Sequence, residues 1–218
     1  DLVLDAVLAG DATHVVAGLP GLEDSVGLGR ALAQIRVGGA PGFGLALPEP
    51  GDPVGIGGPR ELSTAALESG EAVVAGSVGL VPRRVGAAVE WTAYAAAPRQ
   101  LTDVGDADRG LRAALRDAAM SLADLEVARW RPEAADALMN LHHPPSLKPP
   151  PGTPARCVEL AARSLQARAI VGLALEDDGR ALSADEITAR RTSLHPLAAA
   201  ARRGLVAACS PEVWPPDA

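Results

Sequence analysis

The sequence has few aromatic residues and few cysteines, and both shortages restrict what it encodes. Its 218 residues include only three Trp, one Tyr and one Phe, so the core must be built mainly from Ala, Val and Leu. The two cysteines are too few for a disulfide framework. Free, reduced thiols are typical of cytosolic proteins. We therefore expect a cytoplasmic protein with an aliphatic core.

Lysine is nearly absent, and the 27 acidic residues outnumber the 20 basic ones. Lys148 is the single lysine, and the formal net charge is −7. A Walker phosphate-binding sequence requires a lysine, and a nucleic-acid binder needs a basic stripe, so neither is predicted. No apolar stretch approaches the roughly 18 residues of a membrane span, and the first residues do not form a secretory signal. The sequence begins at Asp1, which leaves open whether an N-terminal segment has been removed.

Glycine is abundant but unevenly distributed. Nineteen of the 23 glycines lie in residues 1–110, whereas residues 111–218 are rich in Ala, Leu and Arg at helical spacing. Glycine weakens helix interiors and supplies turns and close backbone approaches. The predicted fold class is therefore α+β: an N-terminal mixed β-sheet with short helices, followed by an all-helical C-terminal half packed against it.

Three segments follow from this division. Residues 1–100 are predicted to form the sheet layer and residues 101–210 the helical bundle, and it stays open whether these are separate domains or one continuous domain. Residues 143–153 are predicted to be an exposed, extended linker. Five prolines lie among residues 144–151, and proline excludes regular backbone hydrogen bonding.

Hydrophobic periodicity and turn residues predict the individual elements. In the first half Asp24 or Ser25 caps the first helix, and residues 82–84 separate the last two strands. In the second half the helix opened by Thr153-Pro154 is predicted to be central, and Ser193 is predicted to cap a separate last helix. The predicted strands are 13–18, 43–47, 72–81 and 87–95, and the predicted helices are 24–36, 59–67, one from 106, 132–141, 154–176, one from 183, and 193–209.

Familiar catalytic and cofactor motifs fail on their spacing. Residues 27–29 (GLG) lack the third glycine of a dinucleotide fingerprint. Residues 76–79 (GSVG) lack the first glycine of a nucleophile elbow, so Ser77 is predicted to be an ordinary strand residue. The acidic turn 176–186 has the wrong register for a calcium loop. No cofactor is predicted from these segments.

Histidine spacing predicts no metal site either. His142 and His143 are adjacent near a predicted helix end, where side chains diverge around the helix and their partial positive charge suits a helix C-terminus. The sequence has no His/Glu pair with the i, i+4 spacing of a helical zinc site. We therefore predict no bound metal.

The 48–60 loop is the best candidate for a binding site. It follows a predicted strand, precedes a predicted helix, and contains glycines whose N–H groups could bind an anion. The alternative is a tightly folded turn stiffened by its prolines. The candidate residues are Gly55, Gly57 and Gly58, with Arg60 as the counter-charge and Glu49, Asp52 or Glu61 as acid–base groups.

Four segments carry a resemblance to a known group: residues 47–55, 66–73, 127–133 and 201–208. Through them the whole chain is similar to uncharacterised conserved hypothetical proteins encoded by GC-rich actinobacteria. The resemblance implies a bacterial cytoplasmic protein. It brings no activity and no catalytic residues.

Two functions are consistent with the sequence. The first is a non-catalytic interaction or regulatory module that binds protein, or a second copy of itself, through the helical half, because helices rich in small residues permit close packing. The alternative is a protein that binds a small anionic ligand, or an enzyme, with its site at the 48–60 loop. Whether the protein is an enzyme stays open.

Overall fold

The computed structural model describes residues 13–124, 146–176 and 184–215. Within these ranges the chain divides into two compact units. The first, the sheet unit, comprises residues 13–101, 149–153 and 209–214. The second, the helical unit, comprises residues 102–124, 146–148, 154–176 and 184–208, with Pro215.

A six-stranded mixed sheet forms the sheet unit. Its spatial order is β2-β1-β6-β5-β4-β3, with β1 parallel to β6 and every other neighbouring pair antiparallel. The two short strands β2 and β3 are therefore its edges. The strands are β1 (Thr13–Ala17), β2 (Val26–Gly27), β3 (Gly44–Ala46), β4 (Ala72–Ala75), β5 (Val78–Val85) and β6 (Ala88–Ala95).

One helix packs on each face of this sheet. Helix α1 (Leu28–Val37) covers the face that carries Val16 and Leu80. Helix α2 (Arg60–Ser69) covers the face that carries Val74 and Val81. Because side chains alternate along a strand, each face contributes its own apolar cluster.

Gly79 allows α2 to lie close to β5. A Cβ atom at this position would stand 2.6 Å from Leu62 Cδ1 and 2.8 Å from Leu62 Cδ2. Leu62 is fully buried between α2 and the sheet. The missing side chain therefore creates the space that the central leucine of α2 fills.

The two hairpins differ from the prediction. The segment predicted as one strand, residues 72–81, is two strands joined at Gly76 and Ser77, so Ser77 lies in a turn and not in a strand. Residues 82–84 lie inside β5, which turns into β6 at Gly86 and Ala87. Gly76 and Gly86 both have φ of +60°, the backbone conformation that short hairpin turns require.

The start of α1 also differs from the prediction. Asp24 and Ser25 are exposed and precede the edge strand β2, and the helix begins after Gly27 with no side-chain cap. Its predicted end is confirmed, because Gly38 and Gly39 donate to Gln34 O and Arg36 O at 2.9 Å each. Val26 and Gly27, which follow the residues predicted to cap the helix, pair with β1 instead of starting the helix.

Three long helices form the described part of the helical unit: α3 (Val104–Asp124), α4 (Ala155–Glu176) and α5 (Ala184–Ala208). Helix α5 packs along both α3 and α4, so it holds the central position that the sequence predicted for α4. An ion pair adds to the smaller α3–α4 contact, with Arg163 Nη1 2.7 Å from Asp108 Oδ1.

A side-chain cap begins α3. Asp103 Oδ1 accepts from the N–H groups of Gly105 at 2.7 Å and Asp106 at 3.3 Å. An aspartate before the first turn satisfies donors that have no partner within the helix. The helix therefore starts two residues before the predicted position.

Helix α5 runs through Pro196 without a break, so the prediction of a separate last helix capped by Ser193 is wrong. Pro196 removes one helical N–H. Leu194 and Leu197, on either side of it, are both buried. Burial of these two leucines holds both segments in one helix despite the lost hydrogen bond.

Helices α4 and α5 approach closely at Gly204. A Cβ atom there would lie 2.4 Å from Ser164 Oγ and 3.4 Å from Leu160 Cδ1. Ser164 is fully buried, and within the described residues its hydroxyl has no hydrogen-bond partner. The contact depends on a residue with no side chain.

The predicted fold class is confirmed: a mixed sheet with short helices precedes a helical half, and strands are absent from the described residues after 95. Residues 146–153 of the predicted linker contain no helix or strand, and most are exposed. The predicted helix 132–141, His142, His143 and most of the acidic turn lie outside the described residues.

Candidate functional site

The 48–60 loop folds back along the edge strand β3. Leu47 N–H donates to Val54 O at 3.1 Å. Glu49 and Asp52 exchange two backbone hydrogen bonds of 3.0 and 2.9 Å, which close a tight turn with Gly51 at φ +81°. The loop is therefore an ordered part of the sheet edge.

At each of the three candidate glycines, the loop backbone lies directly against the backbone of another segment. A Cβ atom at Gly55 would stand 2.8 Å from Leu45 O, one at Gly57 2.8 Å from Pro98 O, and one at Gly58 2.9 Å from Ala97 N. In addition, Gly57 O accepts from Ala97 N–H at 2.9 Å. A side chain at any of these three positions would collide with the neighbouring backbone, so the packing of the loop requires glycine at each.

The other candidate residues lie on the outside of this loop. Arg60 is the exposed first residue of α2, and Glu61 follows it in the first turn, also exposed. Glu49 is exposed and Asp52 is half-buried. The structure thus places Gly55 against β3 and places Gly57 and Gly58 against residues 96–99, and it leaves Arg60 at the surface. Anion binding by this loop stays a prediction.

The guanidinium group at the loop belongs to Arg99, which sequence analysis missed. Its side chain is 4% exposed. Nη1 donates to Leu45 O at 2.8 Å and to Gly55 O at 3.1 Å. Nη2 donates to Ser210 Oγ at 3.2 Å and to Glu212 Oε1 at 2.7 Å, and Nε donates to the same Oε1 at 3.2 Å.

These contacts use all five N–H donors of the arginine. They connect β3, the 48–60 loop and residues 209–214 through one buried cation. Gly44 makes room for it, since a Cβ at that position would lie 1.7 Å from Arg99 Nη2. Because every donor already has an acceptor, Arg99 stabilises the fold and is not a free anion receptor.

Residues 209–214 complete the protection of the β3 edge. Leu45 N–H donates to Cys209 O at 3.3 Å, and Leu45 O accepts from Arg99. Both polar backbone groups of this edge residue are thus satisfied within the chain. Covering an edge in this way prevents pairing with another strand.

A second polar contact in the sheet unit joins β1 to β6. Trp91 Nε1 donates to His14 Nδ1 at 3.0 Å, and the two half-buried rings stack with centroids 6.2 Å apart. Nδ1 of His14 is the acceptor in this bond, and the indole N–H of Trp91 is the donor. The contact explains His14 as a packing residue.

The helical unit has an open groove on its surface. It lies between α3 and α5 and has a volume of about 400 Å³. Its lining on α3 extends from Asp106 to Asp117, about 16 Å at the rise of an α-helix. The lining residues are Thr102, Asp106, Ala107, Gly110, Ala113, Ala114 and Asp117, with Pro196, Ala199, Ala200 and Arg203 from α5.

The groove has a small-residue floor and a charged margin. Ala107 and Ala114 are buried at its base, and Asp106 and Asp117 on α3 are exposed. Arg203 contributes a positive charge from α5. Grooves between helices with an apolar floor accept an amphipathic helix, and charged margins select its orientation.

The cysteines of the described chain are free thiols with different surroundings. Cys157 is fully buried on α4, and Cys209 is exposed. Burial raises the pKa of the Cys157 thiol above 9.0, an effect that the nearby Arg156 partly opposes. A thiol with a raised pKa is neutral and unreactive at physiological pH.

Metal-binding and membrane-spanning features are missing from the described part of the chain. No three His, Cys, Asp or Glu side chains there lie together as ligands for a metal ion. None of the helices it contains combines the length and the apolar character needed to cross a bilayer.

Comparison with protein families gives two matches in tandem. The model of the Rv1486c-like protein, N-terminal domain, matches residues 1–104. The model of the Rv1486c-like protein, C-terminal domain, matches residues 105–206. No curated protein and no solved structure matches the chain.

Proposed function

The chain belongs to the Rv1486c-like family, and we propose that it is a non-catalytic interaction or regulatory module whose helical unit binds a helix of a protein in the α3–α5 groove. The groove is the observation that carries this proposal. Its length fits about three turns of a bound helix, and Gly110, Ala113 and Ala200 leave room for the side chains of a partner.

Electrostatics supports a protein as the ligand. The groove margin presents Asp106 and Asp117 from one helix and Arg203 from the other. Mixed charge around a small-residue floor resembles the polar rim and apolar centre of a protein interface. We further propose a bacterial cytoplasmic location, which the two free thiols support.

Site-specific photo-cross-linking tests this proposal. A benzophenone amino acid replaces Ala113 in the groove or, as the matched control, Ala119, which is exposed on another face of the same helix. The full chain is irradiated in cells that produce it naturally, and adducts are identified by mass spectrometry. We expect protein adducts at position 113 that map to one helical segment, and none at position 119.

Two results of the cross-linking experiment would contradict the proposal. Absence of adducts at position 113, or equal adducts at both positions, overturns the groove as the binding surface. Circular dichroism and thermal unfolding of both variants establish that each is folded before irradiation.

A further inference from the structure

The described part of the proline-rich linker has the exposure pattern of a polyproline II helix. In residues 146–151, here called the proline segment, the two half-buried residues Leu147 and Pro150 are three positions apart. A polyproline II helix has three residues per turn, so residues three apart lie in one row along it. One row is therefore half-buried and two rows are exposed. The exposed rows consist of Ser146 with Pro149 and of Lys148 with Pro151.

The sequence fixes this extended geometry locally. Residues 149–151 are three consecutive prolines, whose rings hold φ at about −65°, and the residue before each proline is restricted to extended conformations as well. The segment ends at a turn in which Thr153 N and Oγ1 donate to Pro150 O at 3.2 and 2.9 Å, with Gly152 at φ +83°. The proline segment is thus a preformed rod about 15 Å long.

The backbone of this rod has acceptors that the described chain does not use. None of the residues that the structure describes donates a hydrogen bond to the carbonyl oxygens of residues 146–149. The exposed rows add the rings of Pro149 and Pro151 and the ammonium group of Lys148, which is the single lysine of the chain. Proline rings, free carbonyl groups and one basic side chain are the features that grooves for polyproline II ligands recognise.

We infer that the proline segment is a docking ligand, which a partner protein binds in a groove lined by aromatic side chains, with an acidic residue facing Lys148. A rod that is already ordered loses little conformational entropy on binding. The position of Lys148 before the three prolines lets the acidic residue select one direction of the rod in the groove. This is a second binding surface, and it does not rest on the α3–α5 groove.

Photo-cross-linking on the two kinds of row gives the first test. A benzophenone amino acid replaces Ser146 on an exposed row or, as the matched control, Leu147 on the half-buried row. The full chain is irradiated in a lysate of cells that produce it naturally, after thermal unfolding has established that each variant is folded. We expect adducts at position 146 that map to a surface lined by aromatic side chains of another protein, and few at position 147. Absence of adducts at position 146, or equal adducts at both, overturns the inference.

Competition identifies the conformation that is recognised. Decaproline adopts the polyproline II conformation, whereas a Gly-Ser peptide of the same length is a flexible coil. Decaproline should suppress the adducts at position 146 progressively as its concentration rises, and the Gly-Ser peptide should leave them unchanged. Adducts that persist in excess decaproline would show that the partner does not recognise a polyproline II helix.

Affinity of the purified full chain for the captured protein tests the rings and the charge separately. Replacing both Pro149 and Pro151 by alanine should raise the dissociation constant at least about tenfold, because each ring is both a contact and a conformational restraint. Lys148→Ala should raise it severalfold and weaken its dependence on salt. Pro20→Ala, at an exposed proline of the sheet unit, is the control and should leave it unchanged. Equal affinity of the wild type and the double proline variant overturns the inference.

The proposed function and this inference fail separately. Adducts at position 113 report on the α3–α5 groove, whereas adducts at position 146 report on the proline segment. Adducts at position 113 alone leave the proposed function standing and overturn the docking ligand, and adducts at position 146 alone do the reverse.

Discussion

The sheet unit and the helical unit use small residues in opposite ways. In the sheet unit Gly44, Gly55 and Gly57 let the backbone, or the buried Arg99 side chain, occupy the space where a side chain would be. In the helical unit Gly110 and Ala113 leave space at the surface that nothing in the described chain fills completely. Small residues thus consolidate the first unit, whereas in the second, where Gly204 also permits close packing of α4 and α5, they leave an open groove.

Charged side chains also differ between the sheet unit and the helical unit. Every donor of Arg99 is used within the sheet unit, so its most buried charge has no capacity left for a ligand. The margin of the helical groove carries exposed Asp106 and Asp117. A buried, fully bonded charge indicates a structural role, whereas the exposed Asp106 and Asp117 lie at the margin of an apolar groove.

The largest effect is expected from removing the Arg99 side-chain charge. Arg99→Met leaves Leu45 O, Gly55 O and Ser210 without their donor and should lower the free energy of unfolding by about 3 kcal/mol. Arg60→Met, at an exposed arginine near the same loop, should change it by no more than about 0.5 kcal/mol. Urea unfolding measures both, and equal effects would contradict a structural Arg99.

A glycine pair tests packing in the helical unit. Gly204→Ala places a Cβ against Ser164 Oγ and should destabilise by about 1–3 kcal/mol. Gly172→Ala, in α4 with no atom within 4 Å of the added Cβ, should stabilise by about 1 kcal/mol through helix propensity. Adding Ser164→Ala to Gly204→Ala should restore most of the loss. If Gly204→Ala and Gly172→Ala change the free energy of unfolding equally, the close approach of α4 and α5 at Gly204 is wrong.

Removing the side-chain cap of α3 should lower the free energy of unfolding by a smaller amount. Helix α3 has the Asp103 cap, whereas α1 and α2 begin without a side-chain cap. Asp103→Ala should therefore cost about 1 kcal/mol, against a negligible change for Asp117→Ala at an exposed site of the same helix. Thermal unfolding compares them, and an unaffected Asp103→Ala protein would show that the cap contributes nothing.

The smallest energetic effect is expected at the thiols. At pH 8 a thiol reagent should label Cys209 rapidly and Cys157 only after unfolding. The folded pKa of Cys157 is raised, so its contribution to stability is complete at neutral pH and is lost as the pH rises above about 9. Rapid labelling of both thiols in the folded protein would contradict the burial of Cys157 on α4.

Composition and periodicity were enough for the fold class, because they average over many residues. The hairpins were not predictable in detail, since local pattern favours Pro82 as a turn residue. In the structure β4 pairs only with residues 78–80 of β5, so β5 has β6 as its single neighbour at Pro82. A strand paired on one side tolerates a residue without an N–H group.

The sites depend on contacts distant in the sequence, and this explains what local pattern missed. Arg99 meets partners 44 to 113 residues away, and nothing next to it distinguishes it from other arginines. The glycines of the 48–60 loop were recognised as special, but the backbone they approach was not visible in the sequence. The alanines that line the groove can be recognised in the sequence. That they line a groove depends on how α3 packs against α5, which local pattern does not reveal.

Backbone amide NMR spectra of the chain, recorded alone and with the protein captured by cross-linking at position 113, test the central claim most directly. We predict that the partner changes the chemical shifts of Gly110, Ala113 and Ala200, while those of Gly55, Gly57 and Gly58 stay constant. Shifts confined to the 48–60 loop, or spectra that do not change at all, would contradict the account in which the helical groove binds and the glycine loop holds the sheet together.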